Sequence, residues 1–166
     1  YRTGVMQLSG VGPALDACAS LLARARALQV PVIHIQHDSG PGTPYDIRAE
    51  IGAIADKVAP AEGEPVVVKN YPNSFLNTDL DARLKALGVK NLVVAGFMTH
   101  MCINSTGRGA FNLGYAVTVP ANATATRPLA GPDGSTVPAA VLQAAALAAL
   151  GDLFAVVVPD VADIPD

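Results

Sequence analysis

The sequence predicts an α/β protein, a three-layer α/β/α sandwich on a mostly parallel, doubly wound sheet. Short runs of Val, Ile and Leu recur along the chain: "VPVIHIQH" (30–37), "PVVVKN" (65–70), "NLVVAG" (91–96), "AVTVP" (116–120) and "FAVVVP" (154–159). Segments with helical apolar spacing separate them. Strands apolar on both faces, alternating with helices, signify a parallel sheet covered on both sides. The third observation is size and composition. With 166 residues, 51% hydrophobic and 15% charged, the chain is expected to form one domain over 1–166 with a substantial core.

Each element has its own justification. Residues 12–29 carry apolar side chains at helical spacing, with Pro13 in the first turn, where a missing N–H is harmless. The strand at 30–37 runs into a Gly/Pro-rich loop, "DSGPGTPYD", and a short helix is expected around Ile47 to Ile54. After the strand at 65–70, "LDARLKALG" (80–88) reads as a helix closed by Gly88. The strand at 91–96 leads to a helix from about His100 to Leu113, then the strand at 116–120. Val137 to Leu150 reads as a buried helix before the last strand, 154–159.

Composition excludes several functions. A net charge of −3 offers no basic field for nucleic acid. No apolar run reaches the roughly 18 to 20 residues that span a bilayer, and the Ala-rich helix is interrupted by Gln143, so no membrane partner is expected. The two cysteines, Cys18 and Cys102, lack metal-site spacing, which favours a reduced, cytoplasmic protein. "SGVGPAL" places Gly10 and Gly12 before a helix, but Leu15 stands where a dinucleotide loop needs its third glycine. No cofactor is expected, and the partner is a small-molecule substrate.

In parallel sheets ligands bind beyond the carboxyl ends of the strands. Lys69 directly follows three valines and precedes "NYPNSF", so its ammonium starts near the core; a lone lysine is otherwise most often a solvated one. Cys102 follows the strand 91–96 in the expected first turn of a helix. Free cysteine is often only a small buried hydrophobe, but the N–H groups and dipole of a helix start favour a thiolate and can hold an oxyanion. Cys102 is therefore a candidate nucleophile, and Cys18, between Ala17 and Ala19, is core. His100 is two residues from Cys102 and on a helix points away from it.

The segment "GFMTHMCINSTGRGAFNLGYAVTVPANATATR" resembles the signature of the isochorismatase-like cysteine hydrolases, the nicotinamidase-related amidases. Gly96, Thr99 and Cys102 fit its G-x-x-T-x-x-C pattern, Arg108 its helical arginine, and Gly114, Tyr115, Val117 and Val119 its G-Y-x-V-x-V strand. "VVVKNYPNSF" is similar to the family's lysine strand, with Lys69 in the catalytic place and Phe75 in the following loop. "YRTGVMQLSG" resembles the tail of the motif D-x-Q-N-D/E-F/Y-x-x-G, entered at its aromatic residue.

The resemblance implies an Asp–Lys–Cys triad, a thioester intermediate on Cys102, an oxyanion hole from the N–H groups of Met98 and Cys102, and a cis peptide at Phe97–Met98. The implied aspartate belongs to a first strand ahead of Tyr1, central in the order 3-2-1-4-5-6, and that strand is expected to lie outside residues 1–166. Asp38 is the one substitute at a strand end. The family's metal-binding D-x-H loop has no counterpart in "HIQHDSGPGTPYD". His34 and His37, three apart on a strand, face opposite sides, and His37 with Asp38 is weighed as a metal pair and set aside, so no metal is expected. Phe75, Phe97 and Met98 are expected to form an apolar substrate pocket, with Asn70, Asn73 and Thr99 supplying hydrogen bonds. That pocket suits a small amide or carbamoyl compound. Isochorismate fits less well, because hydrolysis of its vinyl ether needs no thiol. A homo-oligomer is expected from family habit and apolar composition. Two alternatives stand beside the hydrolase: a catalytically silent binding or assembly domain, which retention of Lys69 and Cys102 disfavours, and a redox thiol, for which no resolving cysteine is evident.

Overall fold

A computed structural model describes Tyr1 and residues 4–165. Arg2 and Thr3 of the opening motif, and Asp166 at the expected domain end, lie outside the described residues. The strands are β1 (His34–His37), β2 (Val66–Lys69), β3 (Asn91–Val93), β4 (Gly96–Phe97), β5 (Ala116–Pro120), β6 (Thr124–Ala125), β7 (Leu129–Ala130), β8 (Thr136–Val137) and β9 (Val156–Val158). The helices are α1 (Val11–Ala27), α2 (Leu80–Ala86), α3 (Asn104–Asn112) and α4 (Ala139–Gly151). β1 pairs with β2, and β3, β5 and β9 run side by side in that order; β4 pairs with β6. All these ladders are parallel, and the short β7–β8 hairpin is antiparallel. The three-layer α/β prediction holds.

Two apolar clusters sit against the strands. One joins Val67, Val117 and Val119 to Leu80 and Leu84 of α2, Ala110 of α3 and Leu150 of α4. The other joins Leu8, Ala14 of α1, Met98 and Ala125. α3 comes close because Gly107 lets Leu150 approach, with a Cβ at Gly107 falling 3.0 Å from Leu150 Cδ1.

The sheet has two parallel parts, β2-β1 and β3-β5-β9, in agreement with the two ends of the expected order. In a parallel ladder each residue bonds to one side only. The His34 N–H donates to Pro65 O and the Asp38 N–H to Lys69 O, so the main-chain groups of Ile35 and His37 face away from β2. Ala116 N–H donates to Lys90 O and Val94 N–H to Thr118 O, so Asn91 and Val93 face away from β5. Among the described residues no ladder joins these two edges, which flank the central position of the expected order. Ile35 and Val93 are correspondingly 37% and 47% exposed.

Several expected elements are redrawn. No helix forms over 47–54; only a single 3-10 turn, Glu50–Gly52, appears there, and another spans Asp56–Val58. The Asp46 carboxylate accepts the N–H groups of Gly42 and Arg48, offering the backbone a turn instead of a helix. The strand at 30–37 keeps its last four residues, because a left-handed Gln29 closes α1 immediately before it. Gly96, at φ 118°, breaks the run 91–96 where only glycine is comfortable, and the chain changes partner from β5 to β6. The next helix does not begin as an α-helix. Residues Thr99–Ile103 form a wide π-type turn, with Ile103 N–H reaching Met98 O, and α3 follows. The β7–β8 hairpin lies in what reads as a loop, and α4 starts after Pro138, two residues later than expected.

Leu150, 1% exposed, anchors the larger cluster. Leu150→Ala should lower stability by about 2–5 kcal/mol, since its neighbours only partly collapse into the space. Urea denaturation at equilibrium measures it.

Candidate active site

β2 ends by burying Lys69, 3% exposed, and the π-turn after β4 brings Cys102 beside it. Lys69 Nζ lies 3.3 Å from Cys102 Sγ. It also donates to Tyr71 O at 2.8 Å and Pro72 O at 3.1 Å, and lies 3.2 Å from His37 Nδ1. The chain turns after the strand so that its own carbonyls solvate the ammonium that β2 has buried. These contacts offset the penalty for taking a charge out of water. The peptide Phe97–Met98 is cis, and Met98 is fully buried beside the turn that carries the thiol.

An aromatic wall stands over this pair. The Tyr1 ring meets Tyr45 at 5.9 Å and Phe97 at 5.8 Å, both edge to face, and Tyr45 lies 4.8 Å from the His37 ring. Burial, reinforced by a hydrogen bond with Tyr45, pushes the Tyr1 phenol far above its ordinary value; burial also raises Tyr45. Both phenols stay protonated, and a negative Cys102 would raise both further. The His37 imidazole is pushed below its ordinary value, first by burial and then by Lys69.

The remaining residues singled out by sequence occupy different places. Thr99 is 1% exposed, and its hydroxyl has no partner among the described residues. Asn70 donates to Asp38 O, tying the end of β2 to the end of β1. Asn73 accepts the Phe75 N–H and packs against Gly109 of α3, where a Cβ would fall 2.6 Å from its Oδ1. Phe75 stacks on Tyr115 at 5.9 Å and packs against the larger core cluster. The contacts of Asn73 and Phe75 therefore hold the loop after β2 onto α3 and the core. Asp38 does not reach the thiol as a base: its carboxylate accepts from Arg48 and from Gly40 N–H. Those bonds, Gly40's foremost, hold its carboxyl below the usual range. His34 pairs with Glu64, on the other side of β1 from the His37 contact with Lys69. Among the described residues no group of three His, Cys, Asp or Glu side chains could hold a metal ion.

Sequence reasoning passed over Tyr45 and Arg127, and placed Tyr1 only as the aromatic residue of the opening motif. Tyr45 had a usable signal, an aromatic residue at the tip of a Gly/Pro-rich loop that follows a strand's carboxyl end. His100, beside the thiol in sequence, turns to Thr126 Oγ1 at 2.5 Å, and its buried Nε2, like Arg127 Nε, has no partner among the described residues. Burial and the Arg127 charge lower the His100 imidazole.

Residues 3–159 match the model of the isochorismatase domain. The chain belongs to the isochorismatase family. An isochorismatase from Pseudomonas putida KT2440 has the same fold, with a TM-score of 0.95 at 38% identity, covering 99% of this chain and 84% of that one. A streptothricin hydrolase of Streptomyces noursei is 40% identical over 99% of this chain and 60% of its own length. A ureidoacrylate amidohydrolase of Azorhizobium caulinodans is 32% identical over 65% of this chain and 60% of its own. The chain thus spans about three fifths of these two relatives, while members of its family are hydrolases, amidohydrolases included.

The two thiols differ in surroundings. Cys18 Sγ donates to Ala123 O at 3.2 Å, and burial pushes it up to about 11. At pH 8 about one molecule in 1,000 should carry a Cys18 thiolate. Iodoacetamide at pH 8 should therefore label Cys102 at least about tenfold faster than Cys18. Labelling of Cys18 should rise toward pH 11. Peptide mass spectrometry over a time course reads both rates.

Proposed function

We propose that the protein hydrolyses a small amide or related C–N acyl bond through a thioester on Cys102. The observation that carries this reading is the 3.3 Å contact between the buried Lys69 ammonium and Cys102 Sγ. An ammonium in that place stabilises negative charge on sulfur and, later, on the tetrahedral intermediate. The sulfur attacks the carbonyl carbon, and the N–H groups of Met98 and Cys102 receive the oxyanion. The C–N bond breaks as the amine leaves with a proton. Water then attacks the thioester carbonyl, releasing the carboxylic acid and restoring the thiol.

The reaction needs a proton acceptor for the thiol and a donor for the amine. Asp38 is engaged by Arg48, and His100 by Thr126. We assign the role to a carboxylate carried on a strand seated between β1 and β3, whose outward edges have no ladder partner among the described residues. Phe97 and Tyr45 supply an apolar wall suited to a small acyl group, and the unpaired Thr99 hydroxyl a hydrogen bond to it. The family likeness to a ureidoacrylate amidohydrolase supports C–N chemistry. The expectations of a homo-oligomer and of a cytoplasmic home belong to this same proposal.

The test is ammonia release from nicotinamide, a ureido acid and a simple aliphatic amide, with acid-quenched mass spectrometry of the protein. Turnover of one of them should be accompanied by an acyl adduct on Cys102. Cys102→Ala should lose at least about 1,000-fold in kcat, and Lys69→Met about 100-fold. Full activity in Cys102→Ala would end the thioester reading.

A further inference from the structure

The proposed reaction employs Lys69 but leaves His37 without a task. His37 Nδ1 lies 3.2 Å from Lys69 Nζ, and its Nε2 lies 2.9 Å from Ser39 Oγ. An ammonium has only N–H donors, three of them for the four acceptors here. Nδ1 can therefore meet Lys69 only through its lone pair and shares a proton with a neighbouring acceptor. Nε2 then carries the ring proton and donates it to Ser39 Oγ. The Tyr45 ring packs against the imidazole, with centroids 4.8 Å apart and planes tilted by 54°. The contacts thus specify one neutral tautomer, fixed at both nitrogens. We propose that His37 is a positioning residue for Lys69: its neutral ring holds the ammonium against Cys102 Sγ and releases it on taking a proton.

This rests on the Lys69–Cys102 reading of the preceding subsection. Among the described residues, the titratable and charged groups around the ring are few. Lys69 faces it from β2. Asp38 follows it on β1, with its carboxylate already held by Arg48 and Gly40. Tyr45 faces it as a neutral phenol, since burial raises that group. Cys102 lies behind Lys69. Protonation at Nδ1 turns the acceptor into a donor and sets two cations 3.2 Å apart. Lys69 keeps the Tyr71 and Pro72 carbonyls, so it has somewhere else to rest. Burial and the Lys69 charge both lower the His37 imidazole, with Asp38 opposing. The ring is therefore neutral at pH 7, and release occurs only below the ordinary imidazole value.

The experiment uses the intact protein labelled with nitrogen-15, alongside His37→Asn and His37→Leu. Asparagine can present an oxygen near the Nδ1 position but cannot titrate, whereas leucine can do neither. In the wild type the His37 nitrogens should report a bare Nδ1 and a protonated Nε2, titrating below the ordinary imidazole value. The loss of Cys102 iodoacetamide labelling on acidification should be steeper in the wild type than in His37→Asn, which lacks the titrating ring. At pH 8, His37→Asn should label within about threefold of wild type, and His37→Leu about tenfold slower, as for a lost hydrogen bond to a charged group. A protonated Nδ1, a titration at or above the ordinary value, or wild-type labelling in His37→Leu would overturn the proposal. If Cys102 proves inert in every form, the hydrolase reading falls. The resonances of His37 then decide the Lys69 contact without it.

Discussion

A lysine ammonium taken out of water needs acceptors in fixed places, and much of this site is arranged around that need. Lys69 leaves β2 buried because strand alternation puts it on the same face as the buried Val67, while Val66 and Val68 take the other, partly exposed face. The chain supplies Tyr71 and Pro72 carbonyls by turning back at once, and β1 supplies His37 from the neighbouring strand. Removing one partner of a buried charged group typically costs several kcal/mol, because the charge that remains is unpaired. Cys102 completes the shell. A soft sulfur is the weakest acceptor in the set, and at 3.3 Å it makes the longest of the four contacts.

The strand end that carries Cys102 answers to a backbone constraint. The chain can leave β5 after β3 and join β6 through β4 only by the left-handed turn at Gly96, and the following residues enter a π-type turn before α3 begins. A regular α-helix starting at His100 would place the thiol one register differently against β2. The turn widens the backbone where the side chain has to reach Lys69. Gly109, against Asn73, then lets α3 lie close to the loop after β2. The separation between the Cys102 thiol and the Lys69 ammonium is thereby set from both sides.

Lys69 and Cys102 were legible in the sequence because each breaks a pattern: a charge after three valines, a thiol after an apolar run that ends in glycine. The parallel sheet was legible for the complementary reason, its Val and Ile runs having no polar face. What stayed hidden depends on contacts distant in sequence. Tyr45 meets Tyr1 and His37 only once the loop after β1 has closed, and no periodicity marks it. A helix is expected around 47–54, but the Asp46 carboxylate binds the N–H of Arg48 on one side and of Gly42 on the other, a local turn that outcompetes a short helix. Asn73 and Phe75 have the right residue types for a pocket lining. The structure turns one to its own loop and α3 and stacks the other on Tyr115.

Paired residues of one type show why composition alone under-determines such a site. Cys18 and Cys102 are both largely buried, yet one meets a backbone carbonyl and is held protonated by burial, while the other meets an ammonium. His34 and His37 lie on one four-residue strand, and its alternation sends one to the Glu64 carboxylate and the other to Lys69. The same side chain thus meets a carboxylate at one position and an ammonium three residues later, and the choice is made by which face of β1 each occupies. That face is set by the register of β1 against β2, which aligns His37 with Lys69. A one-residue slip would exchange the faces and separate the imidazole from the ammonium. The register of two short parallel strands is therefore a chemical specification as much as a packing one.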